Sequence, residues 1–318
     1  MKIVITCKLP NEAIESLLET YEVVMWEVEN EPMPRKRLLE EIQDADGLFT
    51  NVADQIDKDL LAHANCLKVI STMAVGYDNI DLEEARKKGI VVGHTPGVLT
   101  EATADLTFAL LMASGRRLVE GMDIIRQNKW KSWAPFFLTG QEINRKTIGI
   151  IGLGRIGLGV ARRAKGFSME VLYHNRSRNE EVEKEHDAKY CELDELLERS
   201  DYVVLLAPST KDTYKMMGRD QFIRMKNSAV FINTSRGTNV DEDALYEALN
   251  SGEIFAAGLD VFDSEPIHSN HRILQLRNVT VLPHIGSAAI ETRMAMARLA
   301  SENLRNGLEG RPLVHQVK

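Results

Sequence analysis

"TIGIIGLGRIGLGVARRAKG", Thr147–Gly166, decides the fold. A short apolar run meets Gly152-x-Gly154-x-x-Gly157 and passes directly into a stretch of helical character. A strand–turn–helix that holds a pyrophosphate needs each glycine for a separate reason. Gly152 permits the tight turn, Gly154 lets backbone approach the phosphates, and Gly157 lets helix and strand pack closely. Gly152, Leu153, Gly154, Arg155, Ile156 and Gly157 are therefore the expected phosphate loop of a dinucleotide site.

On either side of this loop, short apolar runs alternate with amphipathic stretches. Downstream come "MEVLYHN", "YVVLLAP", "AVFINTS", "FAAGLDV" and "VTVLPH". Upstream, "KIVIT" precedes a helical pattern over Asn11–Thr20, and "DGLFTN" precedes one over Lys58–Ala64. "LKVIST" precedes "DLEEARKKG", which Gly89 caps, and "IVV" follows. Such alternation predicts parallel sheets with crossover helices. Between the two series, Glu101–Gln127 predicts a long helical segment bridging two domains, and an aromatic-rich loop, "NKWKSWAPFFLTG", follows. The tail from Ala288 to Asn306 is again helical, with Met294, Ala297 and Leu304 on one face.

With 318 residues the chain fits two domains. A hydrophobic fraction of 44% and a net charge of −8 describe a globular protein and argue against general binding to nucleic acid or anionic membranes. Cys7, Cys66 and Cys191 lie far apart, so neither a disulfide framework nor a zinc site is expected. His268 and His271 lack a clear third ligand and read as loop residues. The opening "MKIVITCKLP" enters a β-type run with no signal-like segment before it, so a cytoplasmic location is expected.

In "VLYHNRSRNEE", Asn175 stands where a ribose-binding carboxylate is usual, and no acidic residue follows until Glu180. A carboxylate there would repel a 2′-phosphate, whereas Arg176 and Arg178 attract one and Ser177 adds a donor. The stretch predicts NADP(H) as preferred cofactor, with NAD(H) as the alternative.

Three residues at strand ends carry the chemistry. Arg236 follows "FINTS", Glu265 follows "GLDVFDS", and His284 follows "VTVLP". Ligands of open α/β sheets bind beyond the carboxyl ends of the strands. Reduction of a 2-oxo acid needs a bidentate cation for the carboxylate, which suits Arg236. It also needs a proton donor that titrates near neutrality, which suits His284. A carboxylate beside that histidine favours its charged form and fixes its orientation, which suits Glu265.

The segments "STMAVGYDNIDLEEARKKGIVVGHTPG", "GIIGLGRIG", "NTSRG", "GLDVFDSEP" and "LPHIGSA" together resemble the D-isomer-specific 2-hydroxyacid dehydrogenase family over essentially the whole chain. "SEP", "LPHIGSA", "WKSWAP" and the non-acidic Asn175 make it most similar to the glyoxylate/hydroxypyruvate reductase branch. The resemblance implies an α/β protein of two Rossmann-like domains, parallel sheets flanked by helices. Residues 1–100 and 288–318 would form a flavodoxin-like substrate domain, and 101–287 the NADP-binding domain, through which a homodimer forms. It places the catalytic Arg, Glu and His on Arg236, Glu265 and His284. The amides of Val75 and Gly76 would meet the substrate carboxylate, with Ser287 also at the substrate. Phe137, in the Trp-containing loop, stands where a relative has Trp and would help shape the pocket. Thr103 and Asp260 would contact the cofactor, the latter at the nicotinamide carboxamide. Ala207, Pro208, Thr213, Thr234, Ser235, His284 and Gly286 complete the implied cofactor contacts.

The implied reaction is hydride transfer from NADPH to glyoxylate or hydroxypyruvate, with His284 as general acid, giving the D-2-hydroxy acid. Other readings stay open. A larger 2-oxo acid such as 2-ketogluconate fits the same residues. D-3-phosphoglycerate dehydrogenases share the catalytic set but typically use NAD, and many carry a regulatory domain for which a chain ending at Lys318 has no room. Formate dehydrogenases lack the Glu, so Glu265 argues against them. Dinucleotide-sensing corepressors keep the fold without turnover but commonly carry extensions.

Overall fold

In the computed structural model, which describes residues 1–317, the chain divides into two compact units, Met1–Leu99 with Ala288–Lys318 and Thr100–Ser287. The first unit contains β1 (Lys2–Ile5), α1 (Asn11–Leu18), β2 (Glu22–Met25), α2 (Arg35–Glu41), β3 (Gly47–Thr50), α3 (Lys58–His63), β4 (Val69–Thr72), α4 (Leu82–Lys87), β5 (Val91–Gly93) and the returning α12 (Ile290–Leu308). All pairings are parallel, in the order β2-β1-β3-β4-β5. Every residue of β3 and β4 is buried, as a strand covered on both faces requires. Asp57 and Asp81 cap α3 and α4 through side-chain bonds to the Leu60 and Glu84 amides, both 2.9 Å. Helix α12 lies on this sheet so closely that a Cβ at Gly47 would sit 3.2 Å from Leu304. Its buried face runs through Met296, Ala297, Ala300, Leu304 and Leu308, whereas the expected Met294 is only partly buried.

The second unit contains α5 (Thr100–Gly115), α6 (Leu118–Arg126), β6 (Thr147–Ile151), α7 (Arg155–Gly166), β7 (Glu170–His174), α8 (Glu180–His186), β8 (Ala188–Tyr190), α9 (Leu193–Arg199), β9 (Tyr202–Leu205), α10 (Arg219–Arg224), β10 (Val230–Asn233), α11 (Glu242–Ser251), β11 (Ala256–Leu259) and β12 (Val279–Val281). Its seven strands are parallel in the order β12-β11-β10-β9-β6-β7-β8. Strand order reverses between β6 and β9, the switch point at which doubly wound sheets bind nucleotides. One apolar cluster centres on Leu172, Val203, Phe231 and Leu259. A second joins Phe108, Ile150, Val160, Tyr202 and Ile232.

The single helix expected over Glu101–Gln127 is two. Arg117 takes a left-handed conformation, φ 54°, and breaks the run between α5 and α6. Both pieces belong to the second unit. Helix α5 is buried on several sides and packs on β10, β11 and α7. A Cβ on Gly258 of β11 would meet Ser114 of α5 at 2.6 Å. No residue of α6 is buried, and Leu118, Val119, Met122 and Ile125 are exposed.

Candidate active site

The phosphate loop has the geometry that its glycines require. Gly152 adopts φ 99°, and a Cβ there would approach the Ala207 amide nitrogen to 2.6 Å, so a side chain is excluded twice over. At Gly157 a Cβ would sit 2.7 Å from the Gly152 carbonyl oxygen, the close helix–strand approach that fixes α7 on β6. A Cβ at Gly154 meets nothing within 4 Å, which leaves space against the backbone at the helix start. Gly154 is the N-cap of the 12-residue α7, whose first amides point beyond the strand ends and favour an anion. Loop shape, open space and dipole all fit a dinucleotide phosphate.

Asn175, directly after β7, is turned toward this loop. Its Oδ1 accepts from the Leu153 amide at 2.7 Å, and its Nδ2 donates to the Leu153 carbonyl at 3.3 Å. The two arginines beyond it differ. Arg178 is held in a bidentate pair with Glu183, Nε to Oε1 at 2.7 Å and Nη2 to Oε2 at 2.8 Å. That carboxylate raises the Arg178 guanidinium further above its ordinary range, and the guanidinium in turn holds the Glu183 carboxyl below its own. Arg176 is exposed, as is Ser177, and makes no ion pair among the described residues. Of the two cations, Arg176 is the one available to an incoming phosphate.

Strand β10 delivers Arg236 through a turn built by Asn233, which is 1% exposed. Asn233 Oδ1 accepts from the Ser235 amide at 3.0 Å and the Ser235 hydroxyl at 2.8 Å, while its Nδ2 donates to the Arg236 carbonyl at 2.9 Å. Thr234 pairs with Thr107 of α5, hydroxyl to hydroxyl at 2.7 Å. A Cβ at the following Gly237 would lie 1.8 Å from the Phe262 carbonyl carbon, so glycine lets the Arg236 loop press against the loop that carries Glu265. Asn239, fully buried, donates to the Ala207 carbonyl at 2.9 Å and ties in the loop after β9. In that loop the Thr213 hydroxyl donates to the Pro208 carbonyl at 2.7 Å.

Glu265 and His284 meet directly. His284 Nδ1 lies 2.6 Å from Glu265 Oε2, while Oε1 accepts from the Phe262 amide at 2.9 Å. A carboxylate accepts, so Nδ1 carries the hydrogen and Nε2 is the ring nitrogen left to meet a substrate. Burial works to raise the Glu265 carboxyl. The His284 bond and charge, the Phe262 amide and the Arg236 charge outweigh it and hold Glu265 below its usual range. The Arg236 charge is thus felt at the Glu–His pair.

His284 stands at φ 52°, left-handed for a residue with a side chain. Asp260, 1% exposed, holds the turn in that shape. Its carbonyl accepts from the His284 amide at 2.8 Å, and its carboxylate takes the Ile285 and Gly286 amides at 2.8 and 2.7 Å. Burial raises the Asp260 carboxyl, against those amides and the His284 charge, which lower it. A Cβ at Gly286 would lie 3.2 Å from Asp260 and 3.4 Å from Thr103, so these three residues form one packed corner. Ser287 follows immediately and ends the unit.

The second unit thus gathers the phosphate loop, the Arg236 turn and the Glu265–His284 pair at the carboxyl ends of one sheet. A sequence profile described as "D-isomer specific 2-hydroxyacid dehydrogenase, NAD binding domain" matches residues 108–286. The chain belongs to that family. It is 48% identical to the glyoxylate reductase of Thermococcus litoralis, over 95% of this chain and 92% of the relative. A crystal structure of a Thermus thermophilus protein superposes with a TM-score of 0.93 at 44% identity, covering both chains completely. An NADPH-dependent glyoxylate/hydroxypyruvate reductase from Sinorhizobium meliloti, in complex with NADP and malonate, gives 0.86 at 32% identity, over 99% of this chain and 96% of that one. The protein is a nicotinamide-dinucleotide-dependent oxidoreductase.

Two of the expected substrate contacts belong to the other unit of the chain. Val75 and Gly76 belong to the first unit, at the carboxyl end of β4, and neither amide donates to a protein acceptor among the described residues. Phe137 lies in the loop after α6, 46% exposed, near Trp130, Trp133 and Phe136 in sequence, which are exposed as well. Asn233, Asn239 and Gly237 were missed from sequence; the Asn directly after a buried strand, in "FINTS", was the available signal for the first. No helix of the described residues is long and apolar enough to cross a membrane.

Proposed function

We propose that this protein reduces glyoxylate, with hydroxypyruvate as a second substrate, to the corresponding D-2-hydroxy acid, and that it prefers NADPH. The observation that carries the reading is the His284–Glu265 pair at 2.6 Å, on the same sheet end as Arg236 and the phosphate loop. The glyoxylate reductase relatives support the substrate class.

The dinucleotide, when bound, supplies the hydride. Gly152–Gly157 would hold its phosphates, Asp260 and Thr103 would lie at the nicotinamide end, and Arg176 would meet a 2′-phosphate. Arg236 binds the substrate carboxylate through its planar fork. The Val75 and Gly76 amides, which have no protein acceptor among the described residues, offer carboxylate oxygens two further donors. His284 donates its Nε2 proton to the oxygen of the carbonyl as negative charge develops there. Glu265 accepts the Nδ1 hydrogen and so holds the ring in line while the Nε2 proton leaves. Each residue does one task, and the Glu265 bond keeps the imidazole from rotating out of line.

The exposed apolar residues of α6 and of the Trp130–Phe137 loop support a homodimer built on the second unit. Phe137 would then lie at or beside that interface.

Steady-state reduction of glyoxylate, hydroxypyruvate and 2-ketogluconate with each cofactor tests the reading. The expected result is the highest kcat/KM with glyoxylate, and at least about tenfold higher with NADPH than NADH, roughly 1.4 kcal/mol of discrimination. Arg176→Ala should remove most of that preference, while Arg178→Ala, whose guanidinium is committed to Glu183, should change it by much less. An equal loss from both variants, or an NADH preference in the unmodified protein, would sink the assignment of the 2′-phosphate site. No glyoxylate turnover would sink the substrate reading.

A further inference from the structure

The turn that offers the Val75 and Gly76 amides is held from two sides. On one side, Asn79 Nδ2 donates to the Asn51 and Asp54 carbonyls at 2.9 and 2.7 Å, fixing the far end of the turn to the loop after β3. On the other, His94 Nδ1 lies 2.9 Å from the Val75 carbonyl oxygen. A carbonyl only accepts, so Nδ1 carries the hydrogen. The peptide that His94 grips is Val75–Gly76 itself, so its grip sets the direction in which the Gly76 amide points. The neighbouring backbone contact, Thr95 amide to Ala74 carbonyl at 2.8 Å, stops one residue short of that peptide.

His94 is in turn fixed by the end of the chain. Its amide donates to the His315 carbonyl at 3.1 Å, and the Val317 amide donates to the Val92 carbonyl at 2.8 Å, around a bridge between Gly93 and Gln316. Asn303, fully buried on α12, donates to the His94 carbonyl and accepts from the His315 amide, each at 3.1 Å. A Cβ at Gly93 would crowd Asn303 at 3.0 Å, so the glycine before His94 admits this brace. The His94 ring is also flanked edge-on by Tyr77 at 5.4 Å and His315 at 6.4 Å between centroids. Backbone bonds and a buried amide fix the His94 main chain, two rings flank its imidazole, and the imidazole Nδ1 serves the Val75 peptide.

We propose that His94, braced by Asn303 and the C-terminal residues 315–317, is a positioning residue that aims the Gly76 amide at the substrate carboxylate. The inference rests on the reading that this turn binds the carboxylate. His94 touches neither substrate nor cofactor; it acts through the peptide it holds. Its loss therefore weakens the hold on a carboxylate substrate and leaves dinucleotide binding as it was.

The test is steady-state kinetics of the full chain and its His94→Ala and His94→Asn variants, with the melting temperature of each. Asn places an Nδ2 donor where the imidazole Nδ1 stood. His94→Ala should raise KM for glyoxylate at least fivefold, leave KM for the dinucleotide within twofold, and His94→Asn should restore the glyoxylate KM to within about twofold. A chain ending at Leu313 removes the C-terminal part of the brace, with the flanking His315 ring, while leaving His94 and Asn303 in place, and should shift the glyoxylate KM in the same direction by less. If His94→Ala leaves the glyoxylate KM unchanged, or if Asn and Ala are equally impaired with KM shifts that follow melting temperature alone, the proposal is overturned. Val75→Pro, which deletes one of the two amides, separates the two ideas. A raised KM there with an indifferent His94→Ala overturns only the positioning role; an unchanged KM in well-folded Val75→Pro removes the carboxylate-binding turn and the inference with it.

Discussion

Two turns of the second unit run left-handed at the strand ends, and they reach that shape by opposite means. At Gly152, φ 99°, the turn has no side chain and no room for one. At His284, φ 52°, the turn keeps a large side chain, and three backbone amides donating to Asp260 hold the backbone where it would not go unaided. The difference matches the tasks proposed for the two turns. A loop that presents amides to a phosphate works best as bare backbone, whereas a loop that delivers a proton needs an imidazole and must carry the strain. The first is shaped by exclusion and the second by bonding, so they should fail differently.

The largest effect is expected at His284. His284→Ala should lower kcat for glyoxylate by about 10²–10⁴-fold, the range for losing a general acid, with dinucleotide affinity nearly unchanged. Stopped-flow or steady-state rates together with a fluorescence titration of the dinucleotide would check this; loss of both in parallel would make the residue structural. Next comes Gly152→Ala. With its Cβ 2.6 Å from the Ala207 nitrogen, the variant should lose roughly 2–3 kcal/mol or more in denaturant unfolding, and most of its dinucleotide affinity. Smaller and more discriminating is His284→Gly against His284→Ala. If the His284 turn is strained, glycine should be the more stable of two inactive variants by about 0.5–1 kcal/mol, because only alanine suffers at positive φ. Equal stability would mean that Asp260 relieves the strain completely.

The smallest expected effect concerns pH. Glu265 is held below its ordinary value of 4.5 in the folded protein. A lowered carboxyl stabilises the fold above its unfolded value, and that contribution fades as pH falls from about 4.5 through the lowered one. Glu265→Gln lacks this term. Its melting temperature should therefore fall short of the parent's near pH 6, with the gap narrowing below pH 4.5. A gap independent of pH would mean that the charge on Glu265 does not contribute.

The same contrast between local shape and long-range bonding explains what the sequence made legible. The interior strands were read correctly because each is an apolar run buried on both faces, as in "GLFT" and "YVVL". The two strands missed, β2 and β8, are sheet edges, short and partly exposed; β8 is only Ala-Lys-Tyr, whereas β2 carries an apolar run, Val23–Met25, that stood without a turn signal to set it apart. The break at Arg117 was underread: Gly115 ends α5 two residues earlier, but Arg117, the residue that turns left-handed, is neither glycine nor proline. At the site, the GxGxxG spacing and the Arg, Glu and His after strands were legible, since each reports on a local element. The bonds that shape the site were not. Asn239 reaches Ala207 across 32 residues, and Asp260 reaches Gly286 across 26. Arg178 read as a phosphate ligand equal to Arg176 until its pairing with Glu183 was seen.

Asn175 bears on anyone wishing to exchange one coenzyme for the other. The obvious substitution, an acid at the end of β7, would touch the residue that both accepts from and donates to Leu153. Asn175→Asp keeps the first bond and loses the second, setting a carboxylate against the Leu153 carbonyl and loosening the loop that either coenzyme needs. If Arg176 sets coenzyme choice as proposed, choice and loop integrity share one side chain at 175 but separate at 176, so a redesign that begins at Arg176 leaves the common machinery alone.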